Sequence, residues 1–301
     1  MACRLCGAKS SKQYYVAPVE NKPCYDQCRF CGLIWLEERF AVPDVTEHYD
    51  VAYYQEGYMG QSDAYARAHY AYRIADLKRL HPASRGTLLE IGAAAGDFLA
   101  LARNHGWQVS GIELSARGVH AAQEKHGLYL FKGTIAEFAQ QYNSTTFDAV
   151  VAYHVLEHMP DPFLALRKMQ QMLKHGGYCI VELPNPKSAD YLFYPYLKKR
   201  AFDYPHHLWM FPVRTMERIV REAGFEIIET RMHHSYALGT LYRAIRREKR
   251  PQRSTGGSQR EEIGTTAVLQ SSQPTQSESA FKKTLRRFFP GPQYTMIMRK
   301  K

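Results

Sequence analysis

The 301-residue chain contains no apolar run of the ~18 residues that a membrane-crossing helix requires. Its start shows no charged stretch leading into an apolar one. Neither a membrane span nor a secretory signal is therefore expected. Acidic residues are in deficit, 29 Asp/Glu against 40 Lys/Arg, but the deficit is local. Residues 240–301 hold 14 Lys/Arg against 4 Asp/Glu, whereas residues 1–239 hold 26 against 25. A nearly neutral body excludes a broad basic face as its defining feature and confines the charge argument to the tail. Cysteine is sparse at six residues, and four of these form two Cys-x-x-Cys pairs. Without an export signal, such pairs point to a metal rather than to disulfides, and to a reducing cytosol. The one glycine loop that follows a strand pattern, Gly92-Ala93-Ala94-Ala95-Gly96, lacks the Gly-x-Gly-x-x-Gly spacing that cradles a dinucleotide pyrophosphate.

What is present reads as an α/β protein. Strand patterns near 87–91, 107–112, 128–131, 147–152, 177–183 and 225–231 alternate with helical patterns near 96–105, 115–126, 134–141, 161–173 and 213–223. Such alternation implies a parallel sheet with right-handed crossovers. A further helix is expected over Asp63–Leu80, where Ala64, Ala68, Ala71, Ile74, Ala75 and Leu77 recur near helical spacing. The chain divides into a cysteine module (1–40), a tyrosine-rich connector and helix (41–85), an α/β core (86–234), a basic insertion (235–290) and a final strand (291–301). Ser, Thr and Gln dominate residues 247–280, so disorder is expected there. Tyr294–Met298 has strand composition and is expected to form a final strand beside the preceding one at the sheet edge.

Four blocks recur at the ends of the strand patterns: Leu88–Gly96, Gly111–Leu114, Phe147–His158 and Leu173–Gly177. Open α/β sheets bind ligands outside the carboxyl ends of their strands, where these blocks fall. Glycines at 92 and 96 allow a tight turn with close backbone approach to a ligand. Glu113, 17 residues beyond Gly96, closes the second strand with a carboxylate able to accept from both hydroxyls of a ribose. In order and spacing the blocks closely resemble the class I S-adenosylmethionine-dependent methyltransferases. The resemblance implies a Rossmann-like sheet, methyl transfer from S-adenosylmethionine, and a cofactor site built from Glu90, Gly92, Ala94, Gly96, Glu113, Leu114, Thr134, Ile135, Tyr153 and His154. Two positions depart from the family pattern. Ala94 stands where a third glycine is usual, and no acid stands near 134 to meet the adenine amino group. Glu157-His158 invites a metal or catalytic reading, against which His158 is expected to cap or pack the turn that follows.

Cys3-x2-Cys6 and Cys28-x2-Cys31, separated by 21 residues and each followed by glycine, suit a closed, structural Zn2+ site in a zinc-ribbon-like module. Cys24 could replace Cys28, and Cys179 is expected in the core. The module, together with Tyr49, Tyr53, Tyr54 and Tyr58, resembles the N-terminal region of bacterial sugar C-methyltransferases. That family carries Tyr-x-Glu-His-x-x-x-Phe in its acceptor loop. Tyr204, His207 and Phe211 match it, while His206 stands where the glutamate would be. The resemblance implies acid/base roles, with His207 as base, then His206, and Tyr204 assisting. The acceptor would be a sugar-containing, glycan or other small metabolite, methylated on oxygen or carbon.

The tail carries Arg243, Arg246, Arg247, Lys249, Arg250 and Arg253, then Phe281, Leu285, Phe288 and Phe289 at amphipathic spacing among basic residues. This suggests peripheral contact with the inner membrane face of a cytoplasmic enzyme, with Tyr191–Leu197 as a further aromatic patch. The plainer alternatives are a solvated linker or a packed helix. Two rival functions stay open. One is nucleic-acid binding or modification through the cysteine module and tail, against which the module is not notably basic and lacks a stacking pattern. The other is a non-catalytic scaffold with this fold.

Overall fold

The computed structural model describes residues 2–17, 22–40, 63–81, 86–193, 198, 201–233 and 291–301. Strands β1 (Ser11–Val16), β2 (Cys24–Cys28) and β3 (Ile34–Leu36) open the chain, followed by helix α1 (Asp63–Leu80). The α/β body then runs β4 (Thr87–Ile91), α2 (Asp97–Asn104), β5 (Gln108–Glu113), α3 (Ala116–His126), β6 (Phe131–Lys132) and α4 (Ile135–Gln141). It continues through β7 (Phe147–Tyr153), α5 (Pro162–Gln171), β8 (Leu173–Pro184), α6 (Asp190–Phe193), β9 (Trp209–Met210), α7 (Val213–Glu222), β10 (Phe225–Met232) and β11 (Gln293–Lys300).

Seven strands form the main sheet in the order β10-β11-β8-β7-β4-β5-β6. Pairings β8-β7, β7-β4, β4-β5 and β5-β6 are parallel, while β11 is antiparallel to both β8 and β10. This is the Rossmann-like α/β architecture, with the order reversing at β4. Strand β11 pairs antiparallel with β10, the strand that precedes it in the chain, at this margin of the sheet. It lies between β8 and β10, and β10 is the edge. The third parallel strand is only Phe131–Lys132, shorter than the 128–131 pattern suggested. Strand β7 and the Cys179–Pro184 half of β8 are buried almost throughout, as expected of central strands covered on both faces, whereas Lys174 and His175 at the start of β8 are exposed. Local chemistry fixes the helix starts. Asp161 accepts from the Leu164 N–H at 2.9 Å with Pro162 at the first helical position, and Ser115 caps α3.

Two apolar clusters flank the sheet. One joins Ile74 and Leu77 of α1 to Leu88, Phe98, Trp107, Ile180 and Ile297. The other contains Leu89, Val150, Val181, Phe211, Met216 and Phe225, and it also takes in Cys3, Cys28, Leu33 and Trp35. The cysteine module therefore shares the core of the α/β body. Its antiparallel sheet, β1-β2-β3-β9, even borrows its last strand from residues 209–210. Cys179 is fully buried in β8. The basic clusters at 243–253 and 281–289, Tyr49, Tyr53, Tyr54 and Tyr58 lie outside the described residues, as do positions 194–197 of the aromatic patch. Tyr191 of that patch is buried. Among the described residues, no helix is long and apolar enough to cross a membrane.

Candidate functional site

The glycine loop leaves β4 and turns back into α2 through three left-handed residues: Gly92 (φ 70°), Ala94 (φ 47°) and Gly96 (φ 75°). Such values are unstrained for glycine but cost an alanine roughly 1 kcal/mol. That is the physical reason a glycine is the usual residue at position 94. The N–H groups of Gly92 and Ala93 both donate to the Ile112 carbonyl, at 2.9 and 3.0 Å. Glu113, at the end of β5, ties the turn down. Its Oε2 accepts from the Ala94 N–H at 2.7 Å and its Oε1 from the Ser115 N–H at 2.8 Å. An ionised carboxylate has about four acceptor positions. Leu114 is half-buried beside it. Thr134 caps α4 in a reciprocal box with Glu137, which orients the start of that helix, and Ile135 is buried beneath it.

Glu90 is buried, and its Oε2 has no hydrogen-bond partner among the described residues. Burial, with the Glu113 and Asp97 charges and against that of Arg73, pushes its carboxyl up to about 8. The neighbouring end of β7 repeats the pattern. Tyr153 is buried with an unpartnered Oη, its ring edge-on to Phe98 at 5.3 Å and covered by the Arg73 guanidinium at 3.7 Å. Glu157, fully buried in the short turn Leu156–His158, has an unpartnered Oε2. Three orphaned polar atoms thus gather at the carboxyl ends of adjacent strands. Leaving each unmade costs about 1–3 kcal/mol, so the arrangement calls for a polar ligand.

His154, in a left-handed conformation (φ 57°), bridges Glu157 Oε1 and Glu182 Oε1, each at 3.2 Å. Burial opposes its protonation, but the two carboxylates win and raise its imidazole to about 9. Glu182 is the hub of a buried network that the sequence patterns do not single out. It accepts from Arg73 Nη2 at 3.2 Å, Tyr72 Oη at 2.7 Å and Thr295 Oγ1 at 3.2 Å, and His233 Nε2 lies 3.4 Å away. Burial pushes its carboxyl up, yet these cations hold it well below the usual range. An acid interrupting the apolar run Cys179–Leu183 is the one sequence signal that could have exposed it.

The expected acceptor loop closes over the same end. His207 is buried and its Nδ1 lies 2.6 Å from the Ala201 carbonyl. Its ring meets that of His158 edge-on at 4.5 Å, and His158 Nδ1 lies 3.0 Å from the His206 carbonyl. His158, expected to cap or pack, thus sits beside the leading base candidate. Burial lowers both imidazoles, His158 to about 3 with His207 adding to it. The hydrogen bond from His154 and the surrounding imidazoles outweigh burial and hold Glu157 low. The side chains of the other two candidates turn elsewhere. His206 Nδ1 pairs with Asp203 at 3.1 Å, and Tyr204 packs against the cluster of Tyr25, Phe202 and Met210.

The cysteine module clamps this loop. Tyr25 Oη donates to the His207 carbonyl at 2.9 Å, the Leu36 N–H to Leu208 at 2.9 Å and the Leu208 N–H to Glu157 at 2.8 Å. Within the module, single sulfurs of Cys3, Cys6, Cys28 and Cys31 all lie within 4.8 Å of one another. Cys3 and Cys31 approach to 3.4 Å, and Cys6 and Cys28 to 3.6 Å. Sulfurs bound to one tetrahedral ion at about 2.3 Å stand roughly 3.8 Å apart, so this donor set fits a metal. Burial raises the Cys28 thiol, but N–H groups of Cys31 and Phe30 and the nearby thiols lower it to about 7. Cys24, the spare, points away and bonds Gln13 and the Lys22 carbonyl.

A seven-stranded sheet of this order, with a glycine turn after β4 and an acid after β5, defines the class I methyltransferase fold. A family model described as a methyltransferase domain matches residues 65–230, and the chain belongs to that family. It is 28% identical over 111 residues to a ubiquinone biosynthesis O-methyltransferase of Aliivibrio fischeri, covering 35% of this chain and 47% of that one. A protein of the same name from Acinetobacter baylyi is 26% identical over 162 residues, covering 49% and 67%. The chain thus spans about half the length of most of these curated relatives. Among solved structures, a SAM-dependent methyltransferase of Archaeoglobus fulgidus superposes with a TM-score of 0.53 at 21% identity, covering 83% of this chain and all of that one. Magnesium protoporphyrin IX methyltransferase of Synechocystis, solved with SAH, gives 0.50 at 12%, covering 85% and 98%. These likenesses bear on the fold.

Proposed function

We propose that the protein transfers a methyl group from S-adenosylmethionine to an oxygen or carbon of a small metabolite, sugar-containing acceptors included. The observation that carries this reading is the set of buried orphans, Glu90 Oε2, Tyr153 Oη and Glu157 Oε2, gathered where β4 and β7 end. Glu90 would face the ammonium of the cofactor's methionine part and Glu113 the ribose, with Gly92, Ala94 and Gly96 giving the backbone approach. Leu114, Thr134 and Ile135 would border the adenine, and Tyr153 and His154 the methionine end. When bound, the cofactor would supply an electrophilic methyl, the C–S bonding pair going to sulfur as the bond to the acceptor forms and the acceptor gives up one proton. The chain's own task is to align the acceptor, exclude water and receive that proton. His207 stands at the centre of the proton-accepting end, with His206 and Tyr204 on its loop. Structural zinc in the four-cysteine site would hold that loop through the Tyr25 and β3-β9 contacts.

Calorimetric titration with S-adenosylmethionine and S-adenosylhomocysteine tests the reading. Saturable binding of both, abolished in Glu113→Ala while the fold persists, is expected. A folded protein that binds neither ligand returns the scaffold reading to the front.

A further inference from the structure

We propose that Glu157 is a positioning residue for His207: its buried carboxylate stabilises the charge that this imidazole gains on taking the acceptor's proton. The inference rests on the methyl-transfer reading and adds a residue to it. Glu157 comes from the turn after β7 and His207 from the loop before β9. One ring nitrogen of His207 and one carboxylate oxygen of Glu157 nevertheless lie within 4.8 Å of each other. Both side chains are buried. An opposite charge within about 4–6 Å favours the charged form of a titrating group, and exclusion of water strengthens the effect.

Hydrogen bonding fixes what each partner offers. The Nδ1 of His207 lies 2.6 Å from the Ala201 carbonyl. A carbonyl only accepts, so Nδ1 carries the hydrogen and the neutral ring keeps its lone pair on Nε2. That nitrogen is the one able to take a proton. Burial pushes the Glu157 carboxyl up, but the His154 hydrogen bond and the surrounding imidazoles hold it low, so it is ionised. Its Oε1 is committed to His154 at 3.2 Å, and its Oε2 has no partner among the described residues. A neutral His207 has no further hydrogen to offer an anion. A protonated one has, on Nε2.

The other groups around the ring are unsuited to this role. Burial lowers the His207 imidazole; Glu157 opposes it first, then the Ala201 carbonyl and Asp203, while His154 adds to the lowering. Asp203 is half exposed and already paired with His206 at 3.1 Å, so water and that partner screen it. His154 is a cation held between Glu157 and Glu182. His158, edge-on at 4.5 Å, is neutral, lowered to about 3 by burial and by His207 itself. Tyr25 spends its hydroxyl hydrogen on the His207 carbonyl, and Tyr204 packs into the neighbouring apolar cluster. Glu157 is thus the fully buried anion beside this ring. In the transfer step the acceptor's proton moves to Nε2, its freed electron pair bonds the methyl carbon, and the C–S pair goes to sulfur. His207 then carries its charge against a carboxylate and afterwards gives the proton up to water. A base weakened by burial regains strength where it is used.

The test reads the titration of His207 itself in the full chain, by NMR of the histidine ring protons, and needs no acceptor. His207→Gln identifies the resonance. In the parent, His207 should titrate below the ordinary imidazole value. Glu157→Gln, nearly equal in size, should lower its proton affinity at least tenfold further, and Glu226→Gln, on an exposed ion pair, should leave it unchanged. A role confined to shaping the turn would not move the titration, because the bond from the Leu208 N–H goes to the Glu157 backbone carbonyl and survives the substitution. Melting curves recorded beside each titration confirm the fold of the variants. Equal titration in the parent and Glu157→Gln overturns the proposal, as does titration in neither above the acid unfolding of the parent. A second measurement needs no substitution: the side-chain carboxyl carbon of Glu157 should shift at the His207 midpoint, and a flat response there is equally fatal. Cofactor calorimetry on the same samples separates the two readings. S-adenosylmethionine binding with an unmoved His207 sinks the pairing alone. Coupled titration in a chain that binds no cofactor sinks the methyltransferase reading and leaves the buried pair standing.

Discussion

Glu90 couples the candidate site to pH. Its carboxyl titrates at about 8 in the folded chain, chiefly because it is buried, against an ordinary value near 4.3 when unfolded. The folded state therefore holds a proton that the unfolded state has lost across that window, and stability from this group falls as pH rises through it. Glu90→Gln should match the parent below pH 4 and become progressively more stable than it towards pH 8, as thermal melts across pH would show. If the carboxylate meets an ammonium in the complex, cofactor binding near pH 7 should release a proton. The binding enthalpy would then differ between phosphate and Tris buffers, and the difference would vanish in the variant. Ala94 offers a second residue-scale test. Ala94→Gly removes a left-handed alanine and should stabilise the protein by about 0.5–1 kcal/mol in urea unfolding. The sequence made Gly92, Gly96 and Glu113 legible because they serve a local turn. It did not reveal the orphaned oxygens of Tyr153 and Glu157, whose isolation depends on everything packed around them.

Helix α1 shows where element-level reading succeeds and where it stops. Its limits, Asp63–Leu80, follow from periodicity alone. Its inward face does not. Ala71 and Ala75 are exposed, while Arg73 and Asp76 are buried beside Ile74 and Leu77. Apolar spacing cannot register a charge whose partner is a hundred residues away in sequence. Arg73 reaches Glu182 on β8, and Asp76 reaches Arg231 on β10. Removing one member of such a buried set strands the others, at a cost of about 3–5 kcal/mol. Glu182→Ala should lower stability by that amount in denaturant titrations, whereas Glu226→Ala, on an exposed ion pair, should change it by less than about 1 kcal/mol. The short β6 and the interior place of β11 were likewise hidden, because pairing order is a property of the sheet and not of any one strand.

At the scale of the molecule, the cysteine motif was easy to find and its attachment was not. Two Cys-x-x-Cys pairs suggest a small module ending near residue 40. The structure instead inserts Cys3, Cys28, Leu33 and Trp35 into the cluster that holds Val181, Phe211 and Met216. If the four sulfurs hold zinc as proposed, stripping it should therefore loosen the whole fold. Calorimetric scans with and without a strong chelator should show a single transition that moves to lower temperature. Two separable transitions would mean that the module melts by itself.

Strand β11 carries a consequence for synthesis and quality control. As the chain emerges, β8 and β10 are complete long before residue 293 arrives, and the slot between them stays one strand wide. Each bordering strand then offers a row of unpaired N–H and carbonyl groups, the template by which one chain recruits another. A ribosome that stalls, or a protease that cuts, ahead of residue 293 leaves a product with a split sheet and two adhesive margins. Nearly all of the residues proposed to face ligands would be present in that product, yet it would be a client for chaperones and degradation rather than a weaker enzyme.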